Sequence, residues 1–245
     1  MKNSAQEKPT TMTIPFRPNR MPEGILVIDK LPGKTSFSLV SLLRHLSGQR
    51  TIGHAGTLDP FATGLMVLLI GSRFTRLSDK FLQDDKEYLG TIHLGIETDS
   101  YDCDGKIISQ SELIPTIDQI EQALKNFQGT VLQTPPMFSA KKIDGQKLYH
   151  LARQGKVIER KAVPVQMHTE LLAYEYPYVR IKVVCSKGTY VRSIAHDLGK
   201  LLNTGAHLSS LRRIRSGSFR IEQAVSQAAL EERTTVWHES LINVL

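Results

Sequence analysis

Short apolar runs bounded by glycine, proline and polar residues recur along this chain and predict the strands of a sheet. Two of them are residues 24–30 (GILVIDK) and 65–70 (LMVLLI), each closed by turn-forming residues. Apolar and polar residues largely alternate over 86–95, which predicts a further strand. Residues 179–186 alternate apolar with basic side chains, so this strand is predicted to be half-buried with a basic outer face.

Apolar positions three and four residues apart predict amphipathic helices between these strands. The helical segments are 36–48, 73–82, 116–129, 191–202 and, near the end of the chain, 222–231. Thr35 or Ser36 is predicted to cap the first of them. The acid-rich segment 98–105 lacks the ligand spacing of a calcium loop and is predicted to be a structural hairpin.

Composition places the chain among soluble globular proteins of one large or two small domains. It has 245 residues, of which 40% are hydrophobic and 22% are charged. The net charge of +7 is consistent with a polyanionic partner but does not require one.

Other classes of protein find little support in the sequence. The two cysteines, Cys103 and Cys185, lie far apart and argue against a zinc site or a disulfide framework. No run approaches the ~20 apolar residues of a membrane span. Residues 1–21 lack the apolar core of a signal peptide and are predicted to form a disordered, mildly basic arm.

The candidate chemistry centres on residues 53–64, which read GHAGTLDPFATG. This loop holds a single acid, Asp59, and leads directly into the apolar strand 65–70. Pro60 fixes its own φ angle and biases Asp59 toward extended geometry, so the carboxylate would be held at a stiff point. Taken alone, an Asp-Pro pair is better explained as an ordinary turn in which the aspartate caps the backbone, and the whole segment is what favours a catalytic acid.

A second informative segment covers residues 133–161, where lysines and arginines interleave with aromatic residues such as Phe138, Tyr149 and His150. Cations bind phosphates and rings stack on unpaired bases, so this pattern suits RNA. The alternative interpretation is a solvated surface insertion.

Two segments resemble the signatures of the tRNA pseudouridine-55 synthases. Residues 53–64 follow the pattern GHxGxLDPxAxG, and residues 185–199 read CSKGTYVRSIAHDLG. These enzymes isomerise a uridine in the T loop of tRNA. The resemblance spans roughly residues 24–219. It implies an α+β pseudouridine synthase fold, in which an antiparallel-rich mixed central sheet is flanked by helices.

The resemblance also implies a domain organisation. The catalytic domain would cover 22–221 and include an RNA-binding thumb insertion at about 133–161. Residues 222–245 would form a short helical tail. Only about thirty residues follow Arg213, too few for another domain, so the C-terminal PUA-type RNA-binding domain of many bacterial members is expected to be absent.

The resemblance further implies roles for individual residues. Asp59 would be the nucleophile, Arg192 would pair with it, and Tyr88 would stack on the target base and take part in proton removal. The implied substrate-binding residues are His54, Tyr190, Leu211, Lys30, Lys142 and Arg153. No metal and no cofactor are expected, because the reaction needs neither a redox change nor a group donor. The expected partner is the T arm of tRNA, bound by a cytoplasmic monomer that makes no membrane contact.

Two other functions remain open at this point. One is a tRNA-binding folding chaperone whose catalysis is dispensable. The other is a glycosidase that cleaves the base–sugar bond without rejoining it, although glycosidases usually work with a pair of acids.

Overall fold

The computed structural model describes residues 21–139, 141–143 and 145–243. The arm predicted over residues 1–21 lies outside this range, apart from Met21. The strands are β1 (Gly24–Lys30), β2 (Ile52–His54), β3 (Thr63–Ile70), β4 (Lys86–Leu94), β5 (Ile96–Thr98), β6 (Ile107–Gln110), β7 (Gln128–Gln133), β8 (Lys142–Ile143), β9 (Gln146–Lys147), β10 (Val163–Glu175), β11 (Tyr178–Cys185), β12 (Ala206–Ser216), β13 (Phe219–Arg220) and β14 (Val225–Ser226). The α-helices are α1 (Ser36–Ser47), α2 (Ser72–Thr75), α3 (Ser78–Gln83), α4 (Ile117–Leu124), α5 (Leu148–Arg153), α6 (Val191–Leu201) and α7 (Gln227–Glu231).

One large sheet organises the fold, with the strand order β14-β1-β3-β12-β4-β11-β10-β7 and with β2 and β13 attached to β3 and β12. The pairs β1/β14 and β3/β12 are parallel, and the other pairs in this sheet are antiparallel. The prediction of an antiparallel-rich mixed sheet flanked by helices is therefore confirmed.

Strand β3 is apolar throughout because both faces of the sheet are covered where it lies. Its alternate residues Met66, Leu68 and Ile70 join the larger hydrophobic cluster, which also includes apolar residues of α1, α4 and α6. Leu65, Val67 and Leu69 join a second cluster on the opposite face, with Phe74 and Phe81. A continuous apolar run is what a strand buried on both faces requires.

Most of the local predictions are confirmed. Strands occur at 24–30, 65–70, 86–94 and 178–185, and β5 and β6 form the predicted hairpin. Helix α1 begins after Thr35, whose side chain accepts a hydrogen bond from the Ser38 backbone N–H, and it ends at Gly48 in the left-handed conformation. A threonine N-cap and a left-handed glycine C-cap are common at the ends of α-helices.

Two helix predictions were wrong. The segment 73–82 is divided into α2 and α3, because Leu77 adopts φ −93° and ψ 4° and ends the first turn. Only 227–231 of the segment 222–231 is α-helical, and the residues before it form a 3₁₀ turn and the strand β14. β14 belongs to the main sheet through its pairing with β1, and Ile25 and Ile242 exchange backbone hydrogen bonds at 2.9 Å, so the C-terminal region is attached to β1 at two points.

The segment 133–161 connects β7 to β10 and contains the β8/β9 hairpin and α5. It has a small hydrophobic cluster of its own, formed by Met137, Leu148 and Leu151. This segment corresponds to the predicted thumb insertion, and residues 133–161 are called the thumb below.

Candidate active site

A cleft of about 1210 Å³ lies where several elements meet at one end of the sheet. Its walls come from the start of α1, the loop between β2 and β3, the hairpin of β5 and β6, the thumb, and the loop that precedes α6, together with side chains of α3, β4 and β12. Seven of the predicted site residues line it: His54, Asp59, Tyr88, Arg153, Tyr190, Arg192 and Leu211.

Buried hydrogen bonds fix the backbone on both sides of Asp59. Upstream, the Ser36 hydroxyl accepts from the Leu58 N–H at 2.9 Å and donates to the Leu58 carbonyl at 3.0 Å. Downstream, the Lys30 ammonium donates to the carbonyls of Pro60 at 3.1 Å and Ala62 at 2.6 Å. The loop that carries the acid is therefore held by β1 and by the first turn of α1.

Gly64 allows this loop to enter the sheet beside β12. It adopts φ +98°, and a Cβ at this position would lie 2.3 Å from the Arg213 carbonyl oxygen and 2.8 Å from its nitrogen. A side chain here would force the parallel pair of β3 and β12 apart. This glycine is thus required by both its φ angle and its neighbour.

Asp59 forms a two-point ion pair with Arg192. The Arg192 Nε lies 2.9 Å from Oδ2, and Nη2 donates to Oδ1 at 3.3 Å. The Nε–Oδ2 contact is an ion-pair approach without the alignment of a hydrogen bond. The arginine side chain is 4% exposed and that of Asp59 is 35% exposed, so the carboxylate faces the cleft and the cation lies behind it.

Three further acceptors anchor the guanidinium of Arg192. Its Nη1 donates to the Ser100 carbonyl at 3.0 Å, and Nη2 donates to the Phe138 carbonyl at 2.8 Å. The Asp102 Oδ2 lies 3.3 Å from Nη1. The hairpin of β5 and β6 and the start of the thumb therefore both fix the cation that holds Asp59.

Asp102 is a site residue that the sequence interpretation missed. Burial raises the pKa of its carboxyl, and the hydrogen bond from Ser100 and the charge of Arg192 act in the opposite direction. The signal was present in the acid-rich segment 98–105, but the spacing of its residues does not show that one acid points at an arginine far along the chain.

Arg213 is a second missed residue. It is 1% exposed, and it donates from Nε to the Leu65 carbonyl at 2.7 Å and from Nη2 to the Gly56 carbonyl at 3.1 Å. Burial raises the pKa of the Tyr88 hydroxyl, and the nearby Arg213 charge lowers it. Burial, and then Arg213, lower the pKa of His54. Arg213 also lines the cleft, so a fixed positive charge lies in its wall.

The remaining predicted residues occupy different positions. Tyr190 exchanges two backbone hydrogen bonds with the Gln133 side chain, at 2.8 and 3.0 Å, immediately before α6. The Arg153 guanidinium lies 5.6 Å from the centre of the Tyr149 ring in α5. Lys142 lies in β8, and its side chain is outside the described part of the structure.

Lys30 differs from the expectation that it contacts substrate directly. It is 0% exposed, and its ammonium is occupied by the backbone carbonyls of Leu31, Pro60 and Ala62. Burial lowers its pKa to about 8, against the raising effect of the Asp59 charge. In this position it holds the loop of Asp59.

Two negative findings apply to the described residues. They contain no group of three or more His, Cys, Asp or Glu side chains arranged to hold a metal ion. None of the helices formed by these residues has the length and apolar character needed to cross a membrane.

Two family models match the chain. The model described as "TruB family pseudouridylate synthase (N terminal domain)" matches residues 44–191, and "tRNA pseudouridylate synthase B C-terminal domain" matches residues 192–244. The boundary between them falls at the start of α6.

Similar proteins carry the same description. A protein named tRNA pseudouridine synthase B from Protochlamydia amoebophila is 54% identical over 242 residues, covering 96% of this chain and 92% of that protein. One of the same name from Chlamydia abortus is 58% identical over 209 residues, covering 85% of this chain and 89% of that protein.

Solved structures resemble the fold over most of its length. A Cbf5-Nop10-Gar1 complex matches with a TM-score of 0.69 and 26% identity, over 91% of this chain and 60% of that chain. An H/ACA RNP bound to a substrate RNA containing 2′-deoxyuridine matches with a TM-score of 0.65 and 25% identity, over 90% of this chain and 59% of that chain.

Proposed function

Because this chain belongs to the TruB family of pseudouridylate synthases, we propose that it converts uridine 55 in the T loop of tRNA to pseudouridine, with Asp59 as the nucleophile. Membership of the family makes the chain an RNA-modifying isomerase. We propose three further details: that the uridine is at position 55, that the bound element is the T arm, and that the individual residues have the roles given below.

The contact between Asp59 and Arg192 carries the proposal. A carboxylate enclosed beside a base would be disfavoured by loss of hydration, and a guanidinium at 2.9 Å offsets that cost. Because Arg192 is itself fixed by Ser100, Phe138 and Asp102, the carboxylate is presented to the cleft in one orientation. An ionised acid at a set position is what nucleophilic catalysis needs.

The atoms of the reaction balance without a cofactor. The N1–C1′ bond of the uridine breaks, the uracil rotates and a C5–C1′ bond forms. C5 then loses its proton to solvent and N1 takes one up from solvent, so the product is an isomer of the uridine. Asp59 attacks the sugar, attacks the base or removes a sugar proton, and each of these routes requires its ionised form. Tyr88, on the cleft wall, is proposed to stack on the base and to assist in removing the C5 proton.

The target base must leave its stack to reach Asp59, which costs a few kcal/mol. The side chains of Tyr88, Tyr190 and Leu211 line the cleft and would replace part of the lost stacking. His54 would support the flipped nucleotide from the loop. On the thumb, Arg153 and Lys142 would contact phosphates, and we propose that Lys30 acts by positioning the Asp59 loop.

The protein is further proposed to act as a monomer in the cytoplasm. Cys103 is a free and exposed thiol, which suits a reducing compartment. Light scattering of the purified protein, alone and with tRNA, tests the oligomeric state.

The experiment that tests the function is tritium release from tRNA labelled at C5 of uridine, with the modified position mapped. Wild type is compared with Asp59→Asn and with Asp118→Asn, which changes an exposed aspartate of α4 outside the cleft. We expect release from a single T-loop uridine in the wild type and the control, and none in Asp59→Asn despite unchanged tRNA affinity.

Each other outcome has a distinct meaning. Turnover by Asp59→Asn at the wild-type rate would remove Asp59 from the chemistry. Tight tRNA binding without release by the wild type would favour the folding chaperone. Free uracil in the supernatant would favour a glycosidase.

A further inference from the structure

The exposed face of α1 carries an aromatic ring and a cation side by side, beginning at the cleft. Phe37 lines the cleft and is 59% exposed. Arg44 lies two helical turns further along the same face, with its guanidinium carbon 5.7 Å from the centre of the Phe37 ring. The Arg44 Nη2 also donates to the Ile52 carbonyl at 3.2 Å, which limits the movement of this side chain. His45, the next residue, is exposed as well.

This face continues into a second, smaller cavity near the C-terminus. The Arg233 Nη2 lies 3.2 Å from Nε2 of His45, and because a guanidinium only donates, His45 is the acceptor. The cavity has a volume of about 240 Å³ and is lined by His45, Leu46, Leu230, Arg233, Thr235 and Trp237. Among these described lining residues there is no carboxylate.

The charged residues in and around α1 all carry one sign, whereas exposed Glu231, Glu232 and Glu239 stand near Arg233 and Trp237 in the sequence. Residues 30–58 contain no aspartate or glutamate, although they include Lys34, Arg44 and Arg50. Surfaces of proteins without polyanionic partners usually mix both signs. Arginines placed between an exposed phenylalanine and a tryptophan suit a strand that offers phosphates and unpaired bases.

We propose that this surface, formed by Phe37, Arg44, His45, Arg233 and Trp237, is a second binding site for the substrate RNA outside the cleft. Phe37 and Trp237 stack on bases, and the two arginines bind the phosphates between them. From Phe37 to His45 the helix rises about 12 Å, the length of three or four phosphates in a stacked strand at about 3.4 Å each. This inference rests on the proposed function, since it takes the same RNA as ligand.

The test compares tRNA binding by Arg44→Gln, Arg233→Gln and the double variant over a series of salt concentrations. Arg180→Gln is the matched control, because Arg180 is an exposed arginine of β11 that lines neither cavity. We expect each arginine on the surface to contribute roughly fivefold in affinity, and its loss to reduce the salt slope of log K by about 0.7 to 0.9. The control should change neither quantity.

Trp237 provides an independent readout, because it is the only tryptophan in the sequence. Its fluorescence should be protected from acrylamide quenching when wild-type protein is saturated with tRNA. Melting temperatures within about 2 °C of the wild type would show that the variants fold. Should the double variant melt lower, the single Arg44→Gln variant tests the same prediction.

Unchanged affinity and salt slope in the variants, with Trp237 equally quenched in the free and bound protein, would overturn the inference. At saturating tRNA the control variant Arg180→Gln should form pseudouridine at the wild-type rate, because Arg180 lines neither cavity. A wild-type protein that forms no pseudouridine would overturn the proposed function, whereas the binding and quenching data would still decide whether RNA occupies this surface.

Discussion

Replacing Gly64 by alanine tests whether the contact between β3 and β12 positions the loop of Asp59. Gly64 faces Lys30 of β1 on one side and Arg213 of β12 on the other. Its φ of +98° is one that residues with a Cβ rarely adopt, and the added Cβ would lie 2.3 Å from a backbone oxygen. Two separate costs therefore act at the same position.

The expected magnitude follows from these two costs. The left-handed φ alone costs an L-residue roughly 1–2 kcal/mol. The overlap is relieved only if β12 moves away from β3. This movement breaks the parallel pairing and the hydrogen bond from the Thr63 hydroxyl to the Leu211 carbonyl. Each hydrogen bond lost costs about 1 kcal/mol. A total of about 4 kcal/mol corresponds to a melting temperature lowered by about 8–16 °C in a chain of this size.

Alanine variants of two other glycines, measured by thermal unfolding alongside Gly64→Ala, separate the cost of the φ angle from the cost of the close approach of β12. Gly129 has φ +72° with nothing within 4 Å of its Cβ position, so Gly129→Ala should show the φ cost alone. Gly53 has no positive φ, and its nearest neighbour would lie at an ordinary 3.7 Å, so Gly53→Ala should melt close to the wild type. The folded fraction of Gly64→Ala should also lose turnover, because the Asp59 loop moves with the strand.

If Gly64→Ala melted within about 2 °C of Gly129→Ala, the close approach of β12 would carry no energetic weight. The loop of Asp59 would then depend on its hydrogen bonds with Ser36, Lys30 and Arg213.

Two further predictions concern charged side chains. Arg192→Lys keeps the charge but loses the planar donors to Asp59, so single-turnover rates at saturating tRNA should fall by about 100-fold or more; a near-normal rate would contradict the pairing. The pKa of Lys30 is lowered to about 8 from 10.5, so between these values the unfolded chain binds a proton that the folded chain does not. Stability relative to Lys30→Met should therefore rise as the pH increases from about 8 to 10.5, and urea midpoints that differ by a constant amount across this range would contradict the lowered pKa.

Much of the fold was predictable because burial leaves a local periodic pattern. The apolar run of β3 and the alternation in β11 reflect which faces the sheet covers. Thr35 and Gly48 mark the ends of α1 through contacts within a few residues of each other. One failure arose where a long-range contact overrides local preference, because residues 225–226 lie in a segment predicted to be helical but pair with β1 as strand β14.

The site was predictable in part for a different reason. The segment 53–64 drew attention through its composition and its resemblance to a family signature, and Arg192 through a second signature. Asp102 and Arg213 were missed because their importance depends on what they face. Each is buried against residues more than 80 positions away: Asp102 beside Arg192, and Arg213 beside the Leu65 and Gly56 carbonyls.

By itself the sequence determined the local elements, the two-sided burial of β3 and the loop that carries the acid, because these depend on neighbours along the chain. Tertiary structure alone decided that Asp102 and two backbone carbonyls anchor Arg192, that Lys30 points into the protein, and that α1 joins the C-terminal residues at a second cavity. These contacts depend on the order of strands in the sheet. That order is set by many weak long-range interactions acting together, and no short stretch of sequence contains them.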